Sequence, residues 1–146
     1  MSKMATMAKM ASATHVVLMA TSIVADILML YDEDGVNVES CSNVLLQRLE
    51  IATGDDCVAI YSGSNEQGRR INVTTTGVLV ENVSCVHGHG LTIGSRTSAG
   101  ISNVTFRGVQ CVGSWKCVRM KSARGRGGLV EGILYENVAV VGPVQT

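Results

Sequence analysis

The stretch SNVLLQRLEI, Ser42–Ile51, alternates apolar and polar side chains, as a strand with one buried face must. Three later segments share its shape: TGVLVENVSC from Thr76, SNVTFRGVQC from Ser102 and VEGILYENVAV from Val130. The first three begin 34 and 26 residues apart, and the longer interval holds SGSNEQGRRINV, read as a polar loop. A short strand follows each of these three: CVAIYS from Cys57, GLTIGS from Gly90 and CVRMKS from Cys117. Val58 lies 14 residues after Val44, Leu91 13 after Val78, and Val118 14 after Val104. Strands recurring at this interval, without helical segments between them, predict an all-β fold, a parallel β-helix of about four coils stacked on one core. An antiparallel sandwich would need Asn-Gly or Asp-Gly hairpin turns; the one such dipeptide, Asp34-Gly35, stands before a strand.

Composition agrees with thin, regular β-layers. Aromatic residues make up 3% of the 146 positions, while Gly occurs 16 times and Pro once, at Pro143. The formal net charge is zero, which argues against general nucleic-acid binding. That zero hides an asymmetry. Nine acids and one base, Arg48, lie between Asp26 and Glu66; seven bases and no acid lie between Glu81 and Glu131. The two halves either neutralise each other or bring carboxylates beside cations that hold an anionic ligand. The five cysteines, Cys41, Cys57, Cys85, Cys111 and Cys117, include no Cys-x-x-Cys pair, so no zinc site is expected. Buried thiols in strands are the default reading, with disulfides the alternative for a secreted protein.

Residues 1–28 read as an atypical N-terminal segment, rich in Met, Ala, Ser and Thr. Lys3 and Lys9 precede an apolar run, Val16–Ala25, in weak outline of a signal peptide. Asp26 cuts that run short of the roughly 20 residues a membrane span needs, so no membrane partner is expected. Residues 29–146 read as the β-helical domain.

Stacking the coils brings chemistry together. With Val36, Val58, Leu91 and Val118 in register, the residues two positions earlier are Asp34, Asp56, His89 and Lys116. Successive coils lie about 4.8 Å apart, so these residues are expected one above another. Counting forward, Arg119 matches Ala59 and Thr92, and Lys121 matches Tyr61 and Gly94, all of outward parity. Asp55 is adjacent. One surface then holds three carboxylates, an imidazole and two cations. Crowded carboxylates raise at least one pKa, which the cations and His89 oppose, and a protonated acid beside an ionised base suits glycosidic cleavage. An oxygen cluster also suits calcium, which Arg119 and Lys121 would repel, and a plain Asp turn is the third reading.

At these positions the sequence resembles the polygalacturonases, glycoside hydrolase family 28. That family carries Asn-Thr-Asp-Gly, Gly-Asp-Asp, Gly-His-Gly and Arg-Ile-Lys segments in this order. Here they read DEDG (Asp32–Gly35), GDDCVAI (Gly54–Ile60), GHGLTIGS (Gly88–Ser95) and RMK (Arg119–Lys121). GRGG at Gly125 and ISNVTF at Ile101 are also similar. The resemblance implies a right-handed parallel β-helix that hydrolyses α-1,4-galacturonan, the pectin backbone, with inversion. It implies Asp55 as general acid, Asp34 and Asp56 as the carboxylates that activate water, His89 as the group that tunes them, and Arg119 and Lys121 as binders of the substrate carboxylate. No metal or other cofactor is implied, and an extracellular, cell-wall, monomeric protein is expected. The alternatives are an exo-acting or rhamnogalacturonan-directed relative, and an inactive fragment that at most binds pectin.

The chain departs from the family pattern in places. Asp32-Glu33 replaces Asn-Thr and adds charge to the site, while Met120 replaces Ile in what reads as a core position. The resemblance covers roughly Asp32 to Val140, so a partial solenoid, truncated at both ends, is expected. Of the sequons at Asn72, Asn82 and Asn103, the one in the polar loop, Asn72, is the better glycosylation candidate.

Overall fold

The structure is a computed structural model that describes residues 33–142 in full, with the backbone of four short strands before them. These are β1 (Met4–Thr6), β2 (Thr14–Val16), β3 (Thr21–Val24) and β4 (Leu28–Met29). Lys3, Lys9, Asp32, Pro143 and the side chains of Val16–Ala25 lie outside the described residues. The remaining elements are β5 (Val36–Glu39), β6 (Ser42–Ala52), β7 (Val58–Tyr61), α1 (Asn65–Ile71), β8 (Thr75–Val86), β9 (Leu91–Ile93), β10 (Ile101–Val112), β11 (Val118–Met120) and β12 (Val130–Val141).

Among the described residues these strands form two sheets, and every pairing is parallel. One runs β1-β3-β6-β8-β10-β12 with β4 also on β6; the other runs β11-β9-β7-β5-β2. Short and long strands alternate along the chain, so each coil contributes one strand to each wall, the arrangement of a parallel β-helix. The repeats align as the sequence pattern demands: Ser42 with Thr76, Thr76 with Ser102, Ser102 with Glu131. Val36, Val58, Leu91 and Val118 also stand in one register.

The core is the stack of inward residues. Val44, Leu46, Leu49 and Ile51 of β6 meet Val78, Val80, Val83 and Cys85 of β8, then Val104, Phe106, Val109 and Cys111 of β10. This spacing is not a strict period of two. Leu46 and Leu49 are separated by two outward residues, and so are Val80 and Val83. The cause is a left-handed residue at each of four stacked positions, Arg48, Asn82, Gly108 and Asn137, which bends every long strand at the same corner. Asn82 and Gly108 fit this corner because Asn tolerates the left-handed region and Gly has no Cβ to oppose it. A Cβ on Gly108 would come 2.8 Å from Asn82 Oδ1. The sequons at Asn82 and Asn103 thus sit on left-handed bends within the ladder.

Several expectations need correction. Four of the five cysteines are not thiols: Cys57 bonds Cys85, and Cys111 bonds Cys117. Inward positions next to turns bring those sulfurs together. Cys41 is buried, with its Sγ donating to the Glu39 carbonyl. Part of the polar stretch is the helix α1 rather than loop. Glu66 in its first turn and Arg69 and Arg70 in its last complement the helix dipole. Gly68 lets its backbone lie against Gly63. Asn72 is its left-handed C-cap and is exposed. Met120 has inward parity opposite Ile93 yet is 62% exposed, because β11 is the outermost described strand of its sheet.

Candidate active site

The outer face of the short-strand wall carries the chemistry. Its turns are held by close backbone contacts between coils. Asp56 C=O accepts from Gly35 N–H at 2.8 Å, and Asp55 C=O accepts from His89 N–H at 2.8 Å. Gly88 makes the second contact possible: at φ +61° a Cβ there would meet the Asp55 carbonyl oxygen at 2.3 Å. Thr53 Oγ1 donates to the Glu33 carbonyl and ties the TGDD turn to the coil before it.

Asp56 is fully buried and fully engaged. Its Oδ1 accepts from Thr92 Oγ1 at 2.6 Å and from Arg119 Nη1 at 3.3 Å, and its Oδ2 from Lys121 Nζ at 2.5 Å. Arg119 and Lys121 belong to the β11 coil, two coils from Asp56, and Thr92 lies between. The middle coil presents only Thr92 and Gly94 there, so long cationic side chains can cross it. Asp34 takes the Asp56 N–H on Oδ1 at 3.2 Å and the Tyr61 hydroxyl on Oδ2 at 3.1 Å. Burial, then the charge and hydrogen bond of Asp34, push the Tyr61 phenol well above its usual pKa, so it stays a donor. Arg96 lies over the Tyr61 ring, 4.0 Å from its centroid, and pairs with Glu39 at 3.3 Å.

Asp55 differs from its neighbour. Its side chain is 50% exposed, and its Oδ1 contacts His89 Nδ1 at 2.8 Å. Burial works to raise its pKa. The His89 hydrogen bond and charge, the Lys121 charge and the Asp56 backbone N–H outweigh that, and the carboxyl is held below the ordinary range. At Asp55 the opposing influence of His89 and Lys121, expected from the sequence, prevails.

The predicted residues therefore converge, with two changes of detail. His89 makes its side-chain bond to Asp55, with its ligand nitrogen still within 4.8 Å of Asp56. Lys116 leaves the stack and lies over Trp115, 5.0 Å from its ring centroid. Asp55, Asp56 and His89 offer ligand atoms within 4.8 Å of one another, a spacing a metal ion could use. Any divalent ion there would face Lys121 and Arg119, already bonded to Asp56, so the donor set fits it poorly. Sequence reasoning did not assign Thr92, Tyr61 or Trp115 to the site. The first two occupy outward positions aligned with Arg119 and Lys121; Trp115 had no aligned partner to draw attention to it.

The family model for "Glycosyl hydrolases family 28" matches residues 3–143. A probable polygalacturonase of Vitis vinifera is 33% identical over 109 residues, covering 73% of this chain and 22% of its own. A probable endopolygalacturonase D of Neosartorya fischeri is 36% identical over 115 residues, covering 77% of this chain and 22% of its own. The crystal structure of a hyperthermoactive exopolygalacturonase from Thermotoga maritima superposes with a TM-score of 0.65 at 29% identity, covering 83% of this chain and 30% of that one. The chain thus spans about a fifth of the length of these curated relatives.

Proposed function

Because the chain belongs to glycosyl hydrolase family 28, we propose that it hydrolyses α-1,4-galacturonosyl linkages of pectin by acid–base catalysis with inversion. The observation that carries this reading is the convergence of Asp34, Asp55, Asp56, His89, Arg119 and Lys121, from four coils, on one outer face.

The geometry divides the work. Asp55 has the open carboxylate and acts as general acid on the leaving oxygen. His89 Nδ1, 2.8 Å away, can act as a proton relay to Asp55 in the tautomer that carries a proton there. An inverting enzyme needs about 6.5–9.5 Å between acid and base to hold a water. Asp34 and Asp56 are the candidate bases; Asp56 reaches within 4.8 Å of Asp55, under that spacing, and already holds Arg119 and Lys121. Asp56 anchors Arg119 and Lys121. A galacturonate carboxylate can compete with Asp56 for these cations, and charge-assisted pairing then selects acidic over neutral sugars.

Two disulfides support a location in an oxidising, extracellular compartment. Among the described residues no helix is long and apolar enough to cross a membrane. The domain proposed to do this work is residues 29–146, with β1–β3 adding to the same sheets.

The test is release of reducing ends from polygalacturonate. Asp55→Asn should lower the rate by about 10²–10⁴-fold, the usual size of a general-acid contribution. A variant that turns over at the wild-type rate would remove Asp55 from the mechanism. Product lengths from a defined oligomer separate endo from exo action.

A further inference from the structure

We propose that Trp115 and Lys116 form an additional sugar subsite beside Asp55 and His89, taking one galacturonate unit of the substrate chain. The inference rests on the pectin reading above and extends it to a residue pair that the acid–base cluster leaves unused.

The chain has one Trp. It stands 49% exposed in a protein whose other described aromatic side chains, Tyr61, Phe106 and Tyr135, are largely or wholly covered. Its indole lies against His89, ring centroids 5.2 Å apart and tilted by 33°. His89 in turn holds Asp55 at 2.8 Å. The indole is therefore one ring beyond the proposed proton relay, where a sugar adjoining the scissile bond would lie.

The turn that carries it is fixed, which sets this Trp apart from one on a loose loop. The Cys111–Cys117 disulfide closes the segment on both sides of Trp115 and Lys116. Trp115 N–H donates to the Gly88 carbonyl at 2.8 Å. Ser114 Oγ donates to the His87 carbonyl at 2.6 Å. A cross-linked turn bonded to the Gly-His-Gly turn holds an apolar ring in water. Holding it there forgoes the stabilisation that burial would bring, and a preorganised ring loses little freedom on binding.

The chemistry suits a charged sugar. The C–H face of a pyranose is apolar and carries partial positive charge, so it complements the negative face of an indole. Lys116 Nζ, 5.0 Å from the ring centroid, is within reach of the same unit's carboxylate. A neutral sugar would gain the stacking alone.

The single Trp also serves as the probe. Trigalacturonate would be titrated into the full chain carrying Asp55→Asn, which keeps the ligand whole, with tryptophan emission and calorimetry read in parallel. Maltotriose is the neutral control. The proposal expects trigalacturonate to change the emission and maltotriose to leave it nearly unchanged. In the same background, Trp115→Ala should raise Kd by roughly tenfold, the order of one aromatic stack with its buried area. Trp115→Phe should lose less, and Lys116→Met should weaken binding and flatten its salt dependence. Calorimetric binding with unaltered emission, and an unaltered Kd in Trp115→Ala, would overturn the subsite while leaving the pectin reading intact. Absence of both cleavage and binding in the unsubstituted chain would overturn both.

Discussion

The two walls of this β-helix are built by the same stacking and handle charge in opposite ways. On the long-strand wall Gln47, Glu81, Arg107 and Glu136 align on successive coils. Arg107 bonds the acid on either side of it, Glu81 at 3.6 Å and Glu136 at 2.8 Å, in open water. One cation is shared between two acids on the adjacent coils, so the ladder offers no unpaired positive charge to an anionic ligand. On the short-strand wall the acids come from turns and the cations from a strand two coils away. They meet over small residues, Thr92 and Gly94, with one carboxylate buried beneath them and one left open. The contrast teaches that a charge ladder becomes a site when partners are offset in depth and along the axis, so that an incoming anion can replace one of them.

The largest effect should come from removing the buried carboxylate. Asp56→Asn keeps the shape and deletes the charge. Breaking a pair with both charges buried costs about 3–5 kcal/mol. Arg119 and Lys121 keep side-chain exposures of 28% and 25%, so water can partly solvate them. The expected loss is therefore about 1.5–3 kcal/mol, the worth of hydrogen bonds to a charged group, measured by urea unfolding. An unchanged midpoint would mean that Asp56 does not anchor the wall.

That anchoring was half legible in the sequence. Outward parity placed Arg119 beside Thr92, and β9 and β11 pair in that register. The core stack of Val36, Val58, Leu91 and Val118 was legible for the same reason: inward residues repeat with the coil and little else can satisfy them. Parity fails where the backbone leaves the extended region. The left-handed residues at Arg48 and Asn137 look like ordinary polar positions in a one-dimensional pattern, so the bent corner was invisible. The disulfides depend on which inward positions flank turns, and spacing along the chain does not encode that. The helix α1 was hidden because Gly68, which an apolar pattern would not mark, is the residue it buries.

A smaller effect concerns the open carboxylate, Asp55, and pH. With its pKa below the ordinary 3.8, Asp55 contributes stability that is present above that value and lost as pH falls through the lower folded value. His89→Ala removes the two strongest lowering influences and leaves burial opposed only by the Lys121 charge and the Asp56 backbone N–H. The Asp55 carboxyl should then titrate at higher pH, as followed by its NMR chemical shift, and the acid limb of the stability curve should move up with it. The stability change stays modest because half of the side chain faces solvent. An Asp55 titration that does not move in the variant would assign the shift to Lys121 and the backbone instead.

The smallest effect should lie on the other wall, and its smallness is the informative part. Glu136→Gln removes one partner of Arg107 from the outer ladder, where the two side chains are 47% and 44% exposed. Water replaces the lost partner at little cost, Glu81 keeps the cation company, and salt already screens the pair. The urea midpoint should stay within experimental error of the unsubstituted chain, at low salt and high. There is a physical route by which this could fail. Val130, Ile133 and Val138 of β12 are only partly buried against the core, so the last described coil has less apolar cover than those inside it. If Glu136→Gln lowered the midpoint as far as Asp56→Asn does, the outer ladder would be clamping that coil in place. The difference between the walls would then be one of position along the solenoid rather than of depth.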